Sequence, residues 1–274
     1  MYAGVTPTKF GRFHVAEPLK LSRFHRTSPD LQEVDHEPPI PVLDQEDLGA
    51  QGIRVSELVA GAQDVDALGS CTCNAGTASL AQRTAAAGKA QPRFGQVQID
   101  VNDPVACEEF AITLYHLVTD QTGDPSSEWP PSDCGSTGLY VCTELQRLGF
   151  IRSFQSAQDP LGAASLLQSG TVIMGLPWFN SWMDPDADGF VDGDGSDDAF
   201  EEAMSSGVAG GHETCITALE KLAYDEHGVP DLQGSWFRVR NSWSEKWGDK
   251  GSYRIHLSTL AKLVGYADYK AFEV

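Results

Sequence analysis

The chain changes texture once, near Gly170, and that single change limits the folds open to it. Before it lie segments with helical spacing. "CTCNAGTASLAQRTAAAG" predicts a helix from Cys71 to about Ala87, stopped by Gly88, and "DPVACEEFAITLYHLVTDQTG" a second that starts after an Asp-Pro pair. "GSTGLYVCTELQRLGF" predicts a third, with apolar residues at 139, 142, 145 and 148, and "PLGAASLLQSG" a short fourth. After Gly170 come "TVIMGLPWF", "ETCITALEKLAYD", "SWFRVRNSW" and "GSYRIHL", short β-rich runs bounded by Gly, Pro, Asn and Asp. Helices followed by strands, instead of alternating with them, predict an α+β fold with two segregated halves. On this reading residues 49–168 form a mainly helical half and residues 169–274 a β-rich half, a sheet or small barrel. Residues 1–48 show no sustained period and read as an extended N-terminal arm, made basic by Lys9, Arg12, Lys20, Arg23 and Arg26.

Composition removes several classes of partner. A formal charge of −20 over 274 residues repels nucleic acid and anionic membranes alike. No apolar run approaches the roughly 18 residues of a membrane span, and "MYAGVTPTKFGRFH" lacks the apolar centre of a secretory signal. The expectation is a soluble protein, cytoplasmic by default. The six cysteines (71, 73, 107, 134, 142 and 215) are too few for a disulfide scaffold, and no CxxC pair marks a structural zinc site. Reduced thiols are the default, and pairing is left open.

"LGSCTCNAGTASL" places two cysteines one residue apart at the start of the first helix. A thiolate is stabilised by a helix N-terminus and by a neighbouring imidazolium, and Cys71 has the first by position. Gly69 and Ser70 form the turn that feeds the helix, with Ser70 as N-cap. Cys73 lies about 200° further round the helix and faces elsewhere. Of the seven histidines, His212 in "VAGGHETCITALE" follows Gly210 and Gly211 at the mouth of a β-run, where glycine allows close approach of backbone or substrate. It is the candidate base. Asn241, in "FRVRNSWSEKWGDKGSYRI", stands at a strand end where it can hold an imidazole, and Trp243 can shield that hydrogen bond from water. A buried helix cysteine, a strand-end histidine and a turn asparagine are the structural alternatives.

These segments resemble those of the papain-family cysteine peptidases, in particular a compact bacterial and phage-type branch. "LGSCTCNA" resembles the nucleophile signature, "GGHETCITAL" the histidine block, "RNSWSEKWGDKGSYRI" the Asn-Ser-Trp block, and "DCGSTGLYVCTELQRLGFI" a helix typical of the bacterial members. They occur in the family's order over about residues 60 to 257. The resemblance implies a two-lobed papain-like fold, a peptide or protein substrate, no required cofactor, and a Cys71, His212, Asn241 triad. His212 stands 141 residues after Cys71 (212 − 71), within the expected interval of about 130 to 150, and Asn241 stands 170 after it (241 − 71), beyond it. The excess is placed in "AYDEHGVPDLQG", read as a surface hairpin. Leu68 replaces the first cysteine of the motif, so the disulfide that cysteine makes is absent, and Thr72 replaces an aromatic residue. The family's oxyanion glutamine is assigned to Gln63 in "GAQDVDALGSC", two residues further upstream than usual.

One stretch stands outside this scheme. "DPDADGFVDGDGSDDAFEE" carries carboxylates at 184, 186, 188 and 192 around Gly189, resembling the first nine positions of an EF-hand-type loop. Asp184, Asp186, Asp188, Phe190 through its carbonyl and Asp192 are the candidate ligands of a Ca2+ ion, with Gly195 in place of the usual glutamate at position twelve. The alternative is a solvated acidic loop. A rival to the peptidase reading is a structural or binding component, for instance of a phage particle, that uses the fold with little or no catalysis. Oligomeric state is not legible.

Overall fold

A computed structural model describes residues 31–37, 40–120 and 128–274. Most of the proposed arm, with its basic residues Lys9 to Arg26, lies outside the described residues. In chain order the elements are β1 (Val34–Asp35), α1 (Val55–Leu58), α2 (Cys71–Ala86), β2 (Arg93–Phe94), β3 (Val97–Gln98), α3 (Pro104–Thr119) and α4 (Gly138–Arg147). They are followed by β4 (Ser153–Ala157), α5 (Pro160–Leu167), β5 (Val172–Phe179), α6 (Asp197–Ser206), β6 (Val208–Tyr224), β7 (Pro230–Arg240), β8 (Ser252–His256), α7 (Leu257–Lys262) and β9 (Asp268–Glu273).

The helix ends follow local chemistry. Asp103 opens α3 by accepting from Val105 N and Ala106 N, with Pro104 in the first turn. Thr137 caps α4 at Tyr140 N, and Asp159 caps α5 at Gly162 N. Beyond α4 the chain turns at Gly149, whose φ of +76° suits glycine.

Seven of the strands form one antiparallel sheet in the order β4-β9-β5-β6-β7-β8, with β1 added alongside β6, and β2 and β3 pair in a separate two-stranded ribbon. The fold is therefore α+β. Texture alone missed three features of the second half: α6 lies inside the acidic stretch, α7 follows β8, and a last strand, β9, follows α7. Ser196 Oγ accepts from Ala199 N at the start of α6, where Asp197 and Asp198 also suit the positive end of the helix dipole. The proposed hairpin between His212 and Asn241 is built from the strands themselves, Tyr224 pairing with Pro230.

Two apolar clusters flank the centre. One gathers α3 and α4 side chains such as Phe110, Tyr115 and Leu145, together with Ile173 and Phe272 from the strands. The other lies against the sheet around Trp178, Phe237, Tyr253 and Tyr269. The described residues of 31–37 and 40–48 strap both, with Leu31 in the sheet-side cluster and Leu43 and Leu48 in the helical one. Helix α2 lies between, packing on α3 and α4 and also on β5 and β6. Its run of Ala, Gly, Ser and Thr makes this feasible, because small side chains let elements approach on every side. Fourteen of its sixteen residues are buried.

Gly76 marks the tightest of these approaches: a Cβ there would lie 2.7 Å from Val141 Cγ1 on α4. Gly76→Ala is expected to lower stability by about 1–3 kcal/mol despite its better helix propensity. Adding Val141→Ala should recover part of the loss. Urea unfolding of the two single variants and the double variant checks this, and additive losses would refute the contact.

Candidate active site

The turn into α2 is stitched to the end of β7 through one buried residue, Gln45. Its backbone N donates to Ser242 O at 3.1 Å, and its carbonyl accepts from Leu68 N at 3.0 Å. Its side chain repeats the pattern, Nε2 donating to Leu68 O at 3.0 Å while Oε1 accepts from Ser242 Oγ at 2.6 Å. Segment 68–71, which delivers Cys71, is thereby held beside segment 241–243, which carries Asn241.

Cys71 is the first residue of α2 and fully buried. Cys73 joins the helical cluster, whereas Cys71 belongs to none of the apolar clusters formed by the described residues. The two side chains thus have different surroundings, as the helical period requires. Burial pushes the Cys73 thiol well above its usual value, which makes it inert.

Ser70 occupies the N-cap position, but its side chain does not cap. Its backbone (φ −91°, ψ 11°) is not extended, so the hydroxyl turns inward and donates to Asn74 Oδ1 at 2.7 Å. The N-terminal N–H groups of α2 are consequently not covered by a serine hydroxyl. Asn74 in turn donates to Glu108 Oε1 at 2.7 Å, and Glu108 Oε2 accepts from Asp44 N at 3.0 Å. A buried carboxylate thus braces the first turn of α2 against the strap.

His212 lies in β6 opposite Leu176 of β5 and is fully buried. The strand begins at Val208, so Gly210 and Gly211 are inside it, paired with Trp178 and Pro177, and do not form its mouth. Extended glycines there continue the ladder. His212 Nε2 lies 2.7 Å from Asn241 Oδ1, and the same oxygen accepts from Ser242 N at 2.8 Å. A backbone N–H can only donate, so the amide oxygen must face this pair of nitrogens and Nε2 carries the proton. The imidazole is then the Nε2–H tautomer, leaving Nδ1 as its basic nitrogen. Trp243 stacks on the imidazole with ring centroids 4.7 Å apart and planes at 18°, while Trp178 meets it edge-on at 5.1 Å. These rings keep water from the His212–Asn241 bond. A cavity of about 10 Å³ between α2 and β6 is lined by Asn74, Ala75, Glu213, Thr214, Asn241 and Ser242, so the helix and the imidazole strand meet here.

Gln63 is exposed, while Gln45 is buried beside the turn into Cys71. The signal for Gln45 is the "PVLDQ" stretch, separated from "LGSC" by residues 46–67.

The acidic loop is held by its own polar groups. Asp186 Oδ1 accepts from Asp188 N and Phe190 N, both at 2.9 Å. Asp192 is buried, its Oδ2 accepting from His256 N at 2.9 Å and its Oδ1 lying 3.1 Å from His256 Nδ1. Phe190 stacks on the same imidazole at 4.5 Å. Asp184, Asp186 and Asp188 are exposed. Among the described residues no group of three or more His, Cys, Asp or Glu is arranged to hold a metal ion, and none of the helices is long and apolar enough to cross a membrane.

No family model matches the chain, and no curated protein sequence does. Among solved structures, xylellain, a cysteine protease from Xylella fastidiosa, is 18% identical over 98% of this chain and 97% of that one, with a TM-score of 0.50. Digestive procathepsin L 3 of Tenebrio molitor is 10% identical over 98% and 77% of the two chains, with a TM-score of 0.49. Procathepsin B S9 from Trypanosoma congolense is 10% identical over 97% and 84%, with a TM-score of 0.46. The similarity to xylellain shows that the chain has the fold of the papain-like cysteine proteases.

Burial raises the Glu108 carboxyl from its ordinary 4.5 to about 7, against the lowering effect of its Asn74 and Asp44 donors. The native protein therefore keeps a proton that the unfolded chain releases. Its stabilising effect is full below about pH 4.5 and is lost as pH rises to about 7, on the order of 3 kcal/mol in all. Glu108→Gln should flatten the corresponding decline in Tm, measured by thermal melts across that interval, at the expense of one of the two acceptors. An unchanged slope would assign the decline to other groups.

Proposed function

We propose that the protein is a cysteine-type peptidase acting on peptide or protein substrates, with Cys71 as nucleophile, His212 as acid and base, and Asn241 as the group that orients the imidazole. The observation that carries the reading is the buried His212 Nε2–H to Asn241 Oδ1 bond at 2.7 Å, covered by Trp243, which leaves Nδ1 as the basic nitrogen of the ring. Nδ1 takes the Cys71 proton, and the imidazolium and the N-terminus of α2 hold the resulting thiolate. The sulfur attacks the scissile carbonyl, and the C–N bond breaks as His212 returns the proton to the leaving amine. A water molecule, deprotonated by His212, then hydrolyses the thioester and releases the acid and the thiol.

We assign the side-chain oxyanion donor to Gln45 in place of Gln63. One Nε2 hydrogen of Gln45 is used by Leu68 O, and the other is available beside the turn that carries Cys71. The helical half carries the nucleophile and the sheet carries its base, with the stitch at Gln45 holding them in register.

Labelling with an epoxide or vinyl-sulfone thiol probe tests the reading. Wild type and Cys73→Ala should take the label, and Cys71→Ala should not. His212→Ala should slow peptide hydrolysis by about 10²–10⁴-fold. Gln45→Ala is expected to lower kcat by about 10²–10³-fold, with Gln63→Ala close to wild type. A folded wild type that takes no label at Cys71 would instead favour a binding or structural component built on the same fold.

A further inference from the structure

The turn that presents Cys71 is gripped from outside its own helix. Gly69 N, two residues before Cys71, donates to Asp133 Oδ2 at 2.7 Å. The other oxygen of that carboxylate, Oδ1, accepts from Tyr115 OH at 2.7 Å. Tyr115 OH accepts in turn from Gly135 N at 2.6 Å, so its single hydrogen is committed to Asp133. Tyr115 is a firm post: it lies in α3, is fully buried, and packs against Trp129 with ring centroids 5.2 Å apart. The chain Gly135 N–H, Tyr115 O–H, Asp133, Gly69 N–H runs from a core helix to the backbone of the nucleophile turn without a gap.

Resting on the peptidase reading above, we propose that Asp133, oriented by Tyr115, is a positioning residue that fixes the Gly69–Cys71 turn and so sets the aim of the Cys71 sulfur. Three features support this. The turn has no covalent tether, because Leu68 stands where the papain-type motif has a disulfide-forming cysteine. Ser70 closes the turn locally through its N–H to Leu68 O at 2.8 Å, while its hydroxyl is directed to Asn74, so neither group engages Gly69. The stitch through Gln45 holds Leu68, but Gly69, the last residue before Ser70, is held by Asp133. Charge-assisted bonds to a backbone N–H are stronger than neutral ones, and both oxygens of this carboxylate are engaged. Burial raises the Asp133 carboxyl above the ordinary value, against the lowering effect of these donors, so the site carries a desolvation cost that a purely decorative surface aspartate would not.

The test uses the full chain and three variants, Asp133→Ala, Asp133→Asn and Tyr115→Phe, each confirmed as folded by its melting transition. The readouts are the rate of thiol-probe labelling at Cys71, kcat and KM on a peptide substrate, and hydrogen exchange of the Gly69 amide. Asp133→Ala is expected to slow labelling and kcat by about tenfold to a hundredfold, as misplacement of a reacting atom by about 1 Å does, with KM changed far less. Asp133→Asn keeps an acceptor for Gly69 N–H and should recover most of the rate. Tyr115→Phe keeps the carboxylate but frees its orientation, and should speed Gly69 exchange while giving an intermediate labelling rate. If Asp133→Ala does not fold, the Asp133→Asn and Tyr115→Phe pair decides, since equal wild-type rates in both overturn the inference. Wild-type labelling with an unchanged Asp133→Ala rate overturns this inference alone. Absence of Cys71 labelling in the folded wild type overturns the peptidase reading, and this inference with it, even where Gly69 exchange stays slow.

Discussion

The structure depends on four hydrogen bonds made by one glutamine. Gln45 uses both its backbone groups and both its side-chain groups to join the peptide before Cys71 to the peptide after Asn241. These two segments come from opposite halves of the chain, and no regular ladder links them. Buried polar groups gain little net energy when paired but cost about 1–3 kcal/mol each when left open, so the four bonds specify one relative placement more than they add stability. The site geometry inherits that placement. Asp133 and Glu108 act in the same manner from the helical side, each a buried or half-buried carboxylate receiving donors from two different segments.

The legible parts of the chain were those whose signal is local. The run of small residues after Cys71 and the stop at Gly88 delimit α2 to within a residue of its observed end, and the Gly and Pro punctuation after Gly170 outlines β5 to β8. The His212–Asn241 pair, which the structure joins at 2.7 Å, could be singled out because each member sits in a short distinctive block. Gln45 could not, because residues 46–67 separate it from the turn it supports, and spacing then favours the nearer Gln63. Ser70 shows a different limit: its type and position predict a cap, while a nearby acceptor on Asn74 draws the hydroxyl away. The acidic stretch hid α6 because like charges suggest an open loop, yet two of those charges lie at the end of a helix that favours them.

That same stretch is tied down by aromatic and ionic contacts instead of remaining loose. Asp192 engages His256 through both carboxylate oxygens, Phe190 stacks on its ring, and Trp236 meets the ring edge-on at 5.8 Å. Gly195 packs so closely on His256 that a Cβ would come within 2.5 Å of the ring carbon. An excess of negative charge is thus compatible with order when one or two of the carboxylates find buried partners and the others face water.

All six cysteines are buried and carry thiols, with no cystine cross-link between them. A reactive thiolate is prone to oxidation and is kept reduced by thiol reductants, whereas a scaffold held by cross-links is weakened by the same reductants. With Cys71 in the proposed role, a reductant that keeps its thiol reduced removes nothing from the framework around it. The protein's resistance to unfolding then comes from packing, hydrogen bonds and ion pairs, without a cross-link restricting the denatured chain.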